Sequence, residues 1–453
     1  MHFRSNTEIP TVAICNTSEV FFEFLNQIEE PVTLARLIRE RQFKGERALL
    51  WLGDPKLVFT SFRVQRLEYV QDRLGYRGTR HAAPASPTAW LCSDIMREPA
   101  LVEQLLDYAG ADRTMRLIPY ATTPQFLKLV EMLEQEYHLS VLLPESPPRE
   151  SIWVRDYIDT KSGFRSLAAN WLAQPSEWLP QGMVCRNTET AASAARWFQA
   201  QGRTCIVKPD NGENGFGQHR ITADDAAPSD ILKQLRSDPF LQRGPVIIEE
   251  FIESPQNLSP SVEFYVPPLG SGEPEMTYVS NQLFTEDGSF GGVLVSRELL
   301  EAPWYPPLAE KGLLIAGNLQ RMGYVGLFDL DTVVDEQQRP FLLEINSRRT
   351  GGTHVHEFAQ FAFGPDYLDQ TVLLSDDMAD SQSITQLDRL EEVIDDLLYP
   401  MQGKRQGVVL TITSTLPAGR FGCIFVAPST AEAIEVRQEL TERIHQASER
   451  LYT

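Results

Sequence analysis

The sequence predicts a mixed α/β and α+β architecture divided among several domains. Its 453 residues exceed what one ordinary hydrophobic core covers, so about three domains are expected. Over residues 1–150 short apolar runs alternate with helical patterns, the mark of an α/β unit. Further on, GLFDLDTVVDEQQRPFLLEINSRR (residues 326–349) alternates polar and apolar residues on both sides of a polar turn, the mark of an antiparallel hairpin.

The elements follow in chain order. Candidate strands of the first unit are TVAIC (11–15), ALLWLG (48–53), KLVFT (56–60), TAWLC (88–92), MRLIPY (115–120) and LSVLLP (139–144). One helix is well signalled: Thr123 caps it, Pro124 takes its first position, and Phe126, Leu127, Leu129, Val130 and Leu133 recur at helical spacing. The Pro- and Ser-rich PESPPRES (144–151) ends this unit, giving a first domain over 1–150. Residues 151–250 hold helices, the strand CIVKP, a Gly-rich loop and a return strand, while 251–375 hold the acidic hairpin. Acidic, polar sequence over 375–396 leads into a last unit, 395–453. It consists of GVVLTITST (407–415), a PAGRFG turn, CIFVA (423–427) and a helix over 431–451.

Composition narrows the partners. With 41 Lys and Arg against 62 Asp and Glu the net charge is −21, so nucleic acid and anionic membrane are not expected as partners. An anionic ligand needs a local basic pocket. Five scattered cysteines without a CxxC pair read as free thiols of a reducing compartment. No export signal and no membrane-length apolar run is seen, and a cytoplasmic location is expected. A homodimer is the commonest assembly for such a chain.

Two segments carry chemistry. Centring the hairpin turn between Gln337 and Gln338 sets Asp331 opposite Glu344 and Asp329 opposite Asn346, all on one face. The other face then carries Phe328, Leu330, Thr332, Val334, Phe341, Leu343 and Ile345 and packs on a core. Three carboxylates so close repel one another unless a cation neutralises them, and such hard oxygens suit Mg²⁺ held together with phosphates. A solvated polar face is the alternative. In TCIVKPDNGENGFGQHRI (204–221), Lys208 ends a strand and Gly212, Gly215 and Gly217 follow, a pattern that cradles phosphate. The lysine precedes the glycines, so this is no Walker loop. Asn211-Gly212 and Asn214-Gly215 equally suit a plain hairpin turn. PVIIEEFIES (245–254) is an apolar strand turning acidic. SVEFYV (261–266) carries Glu263, which on a lone strand ordinarily faces solvent.

In that order, the lysine-bearing Gly-rich hairpin, the strand ending in EEFI, the glutamate-bearing strand and the hairpin ending in ExNxR resemble the ATP-grasp superfamily over residues 151–360. The layout is similar to that of D-alanine-D-alanine ligase and biotin carboxylase. The resemblance implies an ATP-grasp fold with the nucleotide between two α+β subdomains, 151–250 as lid and 251–375 as metal-binding half. It implies that Lys208 and Lys161 of YIDTKSGFR hold ATP phosphates, and that Gly212, Gly215 and Gly217 form the lid loop. Glu249 and the backbone of Glu250 and Ile252 match the adenine-binding linker, and Glu263 the ribose-binding glutamate. Asp331, Glu344 and Asn346 match the ligands of two Mg²⁺ ions, and Arg348 the arginine that supports the reacting phosphate. Asp329 has no counterpart. The outer parts, a pre-ATP-grasp unit and a small C-terminal α+β unit with GRFG, resemble the pheganomycin type of peptide ligase.

The implied activity is a carboxylate–amine ligase that forms a peptide or amide bond through an acyl phosphate, releasing ADP and phosphate. Small-molecule acids and amines, amino acids or peptides, are the implied substrates. A kinase acting on a hydroxyl and a nucleotide-binding scaffold are the alternatives. In RTGGTHVHEF (349–358), Gly351, Gly352 and Thr353 suggest an anion-binding nest before a helix. His354 and His356 are expected to make hydrogen bonds at a cleft rim rather than to bind zinc.

Overall fold

The computed structural model describes residues 9–65, 67–212, 215–224, 228–286 and 288–449. Its strands fall into three sheets. The first is wholly parallel, ordered β3-β2-β1-β4-β5, from β1 (Thr11–Ile14), β2 (Leu57–Phe59), β3 (Arg80–Ala82), β4 (Thr114–Pro119) and β5 (Ser140–Leu142). Parallel pairing requires crossovers, and helices supply them. The helix Pro124–Gln135 is one, with Thr123 Oγ1 accepting from the Phe126 amide at 3.1 Å as a cap.

Two expected strands are not strands. The first half of ALLWLG falls on the 3₁₀ turn Lys44–Leu50, which continues the helix Pro31–Phe43 and buries Ala48, Leu49 and Leu50 in the core. TAWLC straddles the start of the helix Leu91–Arg97, where Asp94 accepts from the Thr88 amide at 2.7 Å and Glu19 from the Cys92 amide at 2.6 Å. A short apolar run reports burial, and burial alone does not distinguish strand from helix.

The second sheet is antiparallel, ordered β6-β9-β7-β8, from β6 (Gly182–Cys185), β7 (Cys205–Pro209), β8 (His219–Ile221) and β9 (Val246–Glu250). Ala191, Ala195 and Phe198 of the helix Thr188–Gln199 and Ile231 and Leu235 of the helix Pro228–Ser237 cover it. The segment 151–181, expected with this lid, packs elsewhere. Val154, Ile158, Phe164 and Ala168 share a core with Phe264, Phe328, Leu330 and Ile345 of the large sheet, because that sheet offers an uncovered apolar face.

That third sheet has eight strands in the order β14-β13-β10-β11-β12-β15-β17-β16. They are β10 (Pro260–Val266), β11 (Glu275–Phe284), β12 (Phe290–Val295), β13 (Gly326–Val334), β14 (Pro340–Asn346), β15 (Val372–Asp380), β16 (Gly407–Ile412) and β17 (Arg420–Ala427). The acidic stretch after residue 375 begins as β15, a strand that pairs with both β12 and β17. The C-terminal strands therefore extend the sheet that carries the acidic hairpin.

The hairpin register is the expected one where it matters: Asp331 lies opposite Glu344 and Asp329 opposite Asn346. A bulge after Asp331 shifts the turn half by one residue, so Thr332 opposes Leu342. The shift reverses the faces of β14 beyond it. Leu342, rather than Phe341 and Leu343, is buried in the core, and Leu343 turns to the cavity.

Candidate active site

A cavity of about 1030 Å³ lies where the three sheets converge, and the face of the large sheet forms part of its wall. Pairing with β10 sets Ser261 beside Asp331 and Glu263 beside Asp329, so the two acids of β13 meet polar neighbours on both flanks. Asp331 accepts from Gln282 Nε2 at 2.6 Å and from Asn346 Nδ2 at 2.7 Å. Burial, then the charges of Glu344 and Asp329, push its carboxyl up to about 7. Asp329 is pushed up to about 6 by burial; its Oδ2 accepts from Thr350 and Ser261, while Oδ1 is buried without a partner.

Lys161 meets this acidic face from the side, with Nζ 2.6 Å from Glu344 Oε2. It opens the helix Lys161–Trp171, and two bonds tie that helix start to the end of β7: the Lys161 amide to Asp210 O at 3.1 Å and the Ser162 amide to Asp210 Oδ1 at 2.8 Å. Burial opposes the charge of Glu344, yet Lys161, then Lys208 and Arg348, outweigh it and hold its pKa below the ordinary glutamate value. Lys161 shifts upward because Glu344, Asp210 and Glu249 overcome its own burial.

Lys208 stands at the end of β7 and donates to Glu249 Oε2 at 2.9 Å. Arg165 Nη1 reaches Glu249 Oε1 at 2.7 Å, so the Glu249 side chain, expected at adenine, is engaged by two cations. The Glu250 amide bonds to Gln181 O at 2.8 Å and its carboxylate pairs with Arg203. Ile252 lies just past the strand, along the cavity. Gly212 and Gly215 line the same cavity; Gly217, which does not, has φ 72°, and a Cβ there would come within 2.9 Å of Phe240. Asn214, half of one expected turn dipeptide, is outside the described residues.

Arg348 also lines the cavity, 3.2 Å from Asp159 Oδ1 and with its guanidinium 5.0 Å from the Phe21 ring centre. Burial works against the Asp159 charge, but Arg348 and Arg155 hold its pKa below the usual aspartate value. Arg349 turns the other way. It is buried between Glu145 and Glu357, 2.7 Å from each, beneath the Trp51 ring.

Some expectations fail on burial. Glu263, read as an exposed strand residue and then as a ribose ligand, is 1% exposed and does not line the cavity. It accepts from Thr353 Oγ1 at 2.5 Å and Thr277 Oγ1 at 2.8 Å, and burial followed by the charge of Asp329 holds its pKa well above normal. His354 and His356 are buried in the fold rather than at a rim. Burial holds His354 far below its usual pKa, and His356 Nδ1 lies 2.9 Å from Tyr367 Oη. Gly351 and Gly352 do line the cavity, and a Cβ on Gly352 would stand 2.4 Å from Tyr278 Oη. Sequence reading missed Ser261, Gln282 and Asp159, as well as the cations Arg41, Lys44 and Arg47 of the N-terminal unit, all at the cavity except Asp159. Only Asp159 had a signal, its place beside Lys161.

Among the described residues no group of three or more His, Cys, Asp or Glu is arranged to hold a metal unaided. Asp331, Glu344 and Asn346 supply two carboxylates and an amide oxygen, a partial set of the kind Mg²⁺ takes when phosphates and water complete its shell. The raised pKa of Asp331 fits such a cation, which would relieve the crowding of charge.

No family model and no curated protein matches the sequence. Solved structures do match the fold. A biotin carboxylase from Campylobacter jejuni, in a β,γ-ATP complex, aligns with TM-score 0.57 and 15% identity, covering 95% of this chain and 90% of that one. An N5-carboxyaminoimidazole synthase from Aspergillus clavatus, bound to ADP and 5-aminoimidazole ribonucleotide, gives 0.52 and 13%, covering 96% and 99%. The biotin carboxylase domain dimer of Hydrogenobacter thermophilus 2-oxoglutarate carboxylase, with MgADP, ADP and bicarbonate, gives 0.51 and 12%, covering 95% and 89%. Across nearly its whole length, this chain has the ATP-grasp fold.

Proposed function

We propose that this chain is an ATP-dependent carboxylate–amine ligase of the peptide-ligase type. The observation that carries the reading is the acidic face of Asp331, Glu344 and Asn346, joined through Lys161 to the Lys208 strand in one cavity. Phosphoryl transfer is mostly positioning and charge neutralisation, and this cavity supplies cations and hard oxygen donors together.

In this reading a substrate carboxylate oxygen attacks the γ-phosphorus of ATP, the bond to the bridging oxygen breaks, and ADP leaves. The resulting acyl phosphate is attacked by an amine nitrogen, which loses a proton as phosphate departs. Two Mg²⁺ ions, held by Asp331, Glu344 and Asn346, would neutralise charge on the transferring group. Lys208 and Lys161 hold phosphate oxygens, exchanging the glutamates that engage them now. Arg348, oriented by Asp159, steadies the reacting phosphate. The loop of Gly212, Gly215 and Gly217 excludes water from the acyl phosphate. The linker contributes Ile252 and its backbone at the base, whereas Glu249 positions Lys208. Ser254 and Asn257 line the wall after the linker.

The similar structures bind MgADP or ATP, and one binds bicarbonate, which supports nucleotide use and puts bicarbonate among the acids to try. The test is a screen of amino acids, short peptides and bicarbonate for Mg²⁺- and ATP-dependent phosphate release, with products weighed by mass spectrometry. Added hydroxylamine should capture a hydroxamate. A phosphorylated alcohol without hydroxamate would make the chain a kinase instead, and Mg²⁺-dependent ATP binding without phosphate release from any acid would make it a scaffold.

A further inference from the structure

The acidic hairpin supplies one wall of the cavity; the N-terminal unit supplies another, and that wall is basic. Arg41, Lys44 and Arg47 stand three residues apart where the helix Pro31–Phe43 runs into the turn Lys44–Leu50, and all three line the cavity. Such spacing gathers side chains on one face. In a chain of net charge −21 this concentration of cations runs against composition. Asp377 of β15 meets two of them: Arg47 Nη2 pairs with it, and Lys44 Nζ lies 4.0 Å from it, while Arg41 Nη1 lies 3.5 Å from Glu40 Oε2. The other charged groups of β15 and β17 facing this region already have partners. Asp376 takes Arg437 at 3.1 Å, and Arg420 donates to Met378 O at 3.3 Å.

Among the described residues, Arg47 and Trp51 each carry a buried donor without a hydrogen-bond partner. Arg47 is 8% exposed, and its Nε is buried without a hydrogen bond; the same holds for Nε1 of Trp51, four residues on. Both side chains line the cavity beside Cys15, whose thiol burial pushes up to about 12 and so keeps neutral. Leaving a buried donor unpaired is costly, more so for a charged group. Such donors persist where a ligand brings the acceptor.

We propose that Arg47 and Trp51, with Lys44 and Arg41, form an anion subsite for a carboxylate that takes no part in the chemistry. Resting on the ligase reading, that carboxylate belongs to the substrate that supplies the amine, so the acceptor is an amino acid or a peptide with a free C terminus. A simple alkylamine would leave Arg47 Nε without an acceptor. Guanidinium and indole N–H groups donate without accepting, and the fixed positive charge of the guanidinium favours an oxyanion over a neutral amide.

The test uses the nucleotide-free wild-type protein and sodium succinate as a carboxylate probe. A crystal soak should place a carboxylate within hydrogen-bond distance of Arg47 Nε. Calorimetry in solution should give a Kd that rises at least tenfold in Arg47→Lys, which keeps the charge facing Asp377 but lacks Nε–H, and also in Trp51→Phe. Water at Arg47 Nε with succinate bound elsewhere, or a Kd unchanged in both variants, overturns the subsite. Its assignment to the amine is tested by pairing each productive amino acid with its carboxamide: the carboxamide should lose at least a hundredfold in kcat/KM. Equal turnover overturns that assignment. Mg²⁺-dependent ATP binding by the wild-type protein, measured separately by equilibrium dialysis, reports on the ligase reading alone and leaves the succinate result standing.

Discussion

Asp331 and Glu263 sit on adjacent strands and the same face of one sheet, yet they have opposite surroundings. Asp331 opens on the cavity, where Gln282 and Asn346 hold it beside the Glu344–Lys161 pair. Glu263 lies under the helix Thr353–Phe363, capped by Thr353 and Thr277 and closed to the cavity. The difference teaches that a carboxylate on a polar face is a ligand candidate only where the neighbouring elements leave it uncovered. Where they cover it, it becomes a peg whose carboxyl is pushed well above its usual pKa by burial.

The strongest way to break this comparison is at the open pair. Glu344→Gln should lower Mg²⁺- and ATP-dependent phosphate release by on the order of 10³-fold, as loss of a charge-stabilising group does, with the melting temperature little changed. Steady-state phosphate assays check it; retained turnover would make the open face no more functional than the sealed one. Next comes the sealed ion network. Arg349→Met leaves the half-buried Glu145 and Glu357 without their cation and should destabilise the fold by about 3 kcal/mol in denaturant unfolding. The upward shift of Glu145, caused by burial that Arg349 only partly offsets, makes that loss milder at low pH.

A third measurement sharpens the contrast at Asp331. Its carboxyl is pushed up to about 7, and metal binds the deprotonated form, so Mg²⁺ affinity should rise about tenfold from pH 5.5 to 6.5 and level off above 7.5. Asp331→Asn should bind weakly and without that slope in a Mg²⁺ titration. The smallest effect belongs to Glu263→Gln, which keeps the shape and should leave phosphate release within about threefold of wild type. Because the folded pKa of Glu263 is raised, its share of stability is full below the unfolded glutamate value and is lost as pH rises through the folded pKa. The variant should therefore unfold with a flatter dependence on rising pH. An activity loss as large as that of Glu344→Gln would erase the distinction.

The readable parts of the sequence were those governed by short-range geometry. Period-two alternation and a polar turn brought Asp331 to Glu344 and Asp329 to Asn346 despite a bulge that moved the other half of the hairpin. The Thr123 cap and the strands carrying Lys208 and Glu263 were equally legible, since pleat and capping depend on nearby residues. The sheathing of Glu263, the turn at 44–50 and the basic wall of Arg41, Lys44 and Arg47 were not. Those depend on which distant element covers a residue. The tertiary structure alone decided that the 3₁₀ turn would meet β15, and that the helix Thr353–Phe363 would close over Glu263 while Asp331 stayed open. Local sterics set which side of a strand a residue faces, whereas burial and charge pairing arise only when segments far apart in sequence pack together.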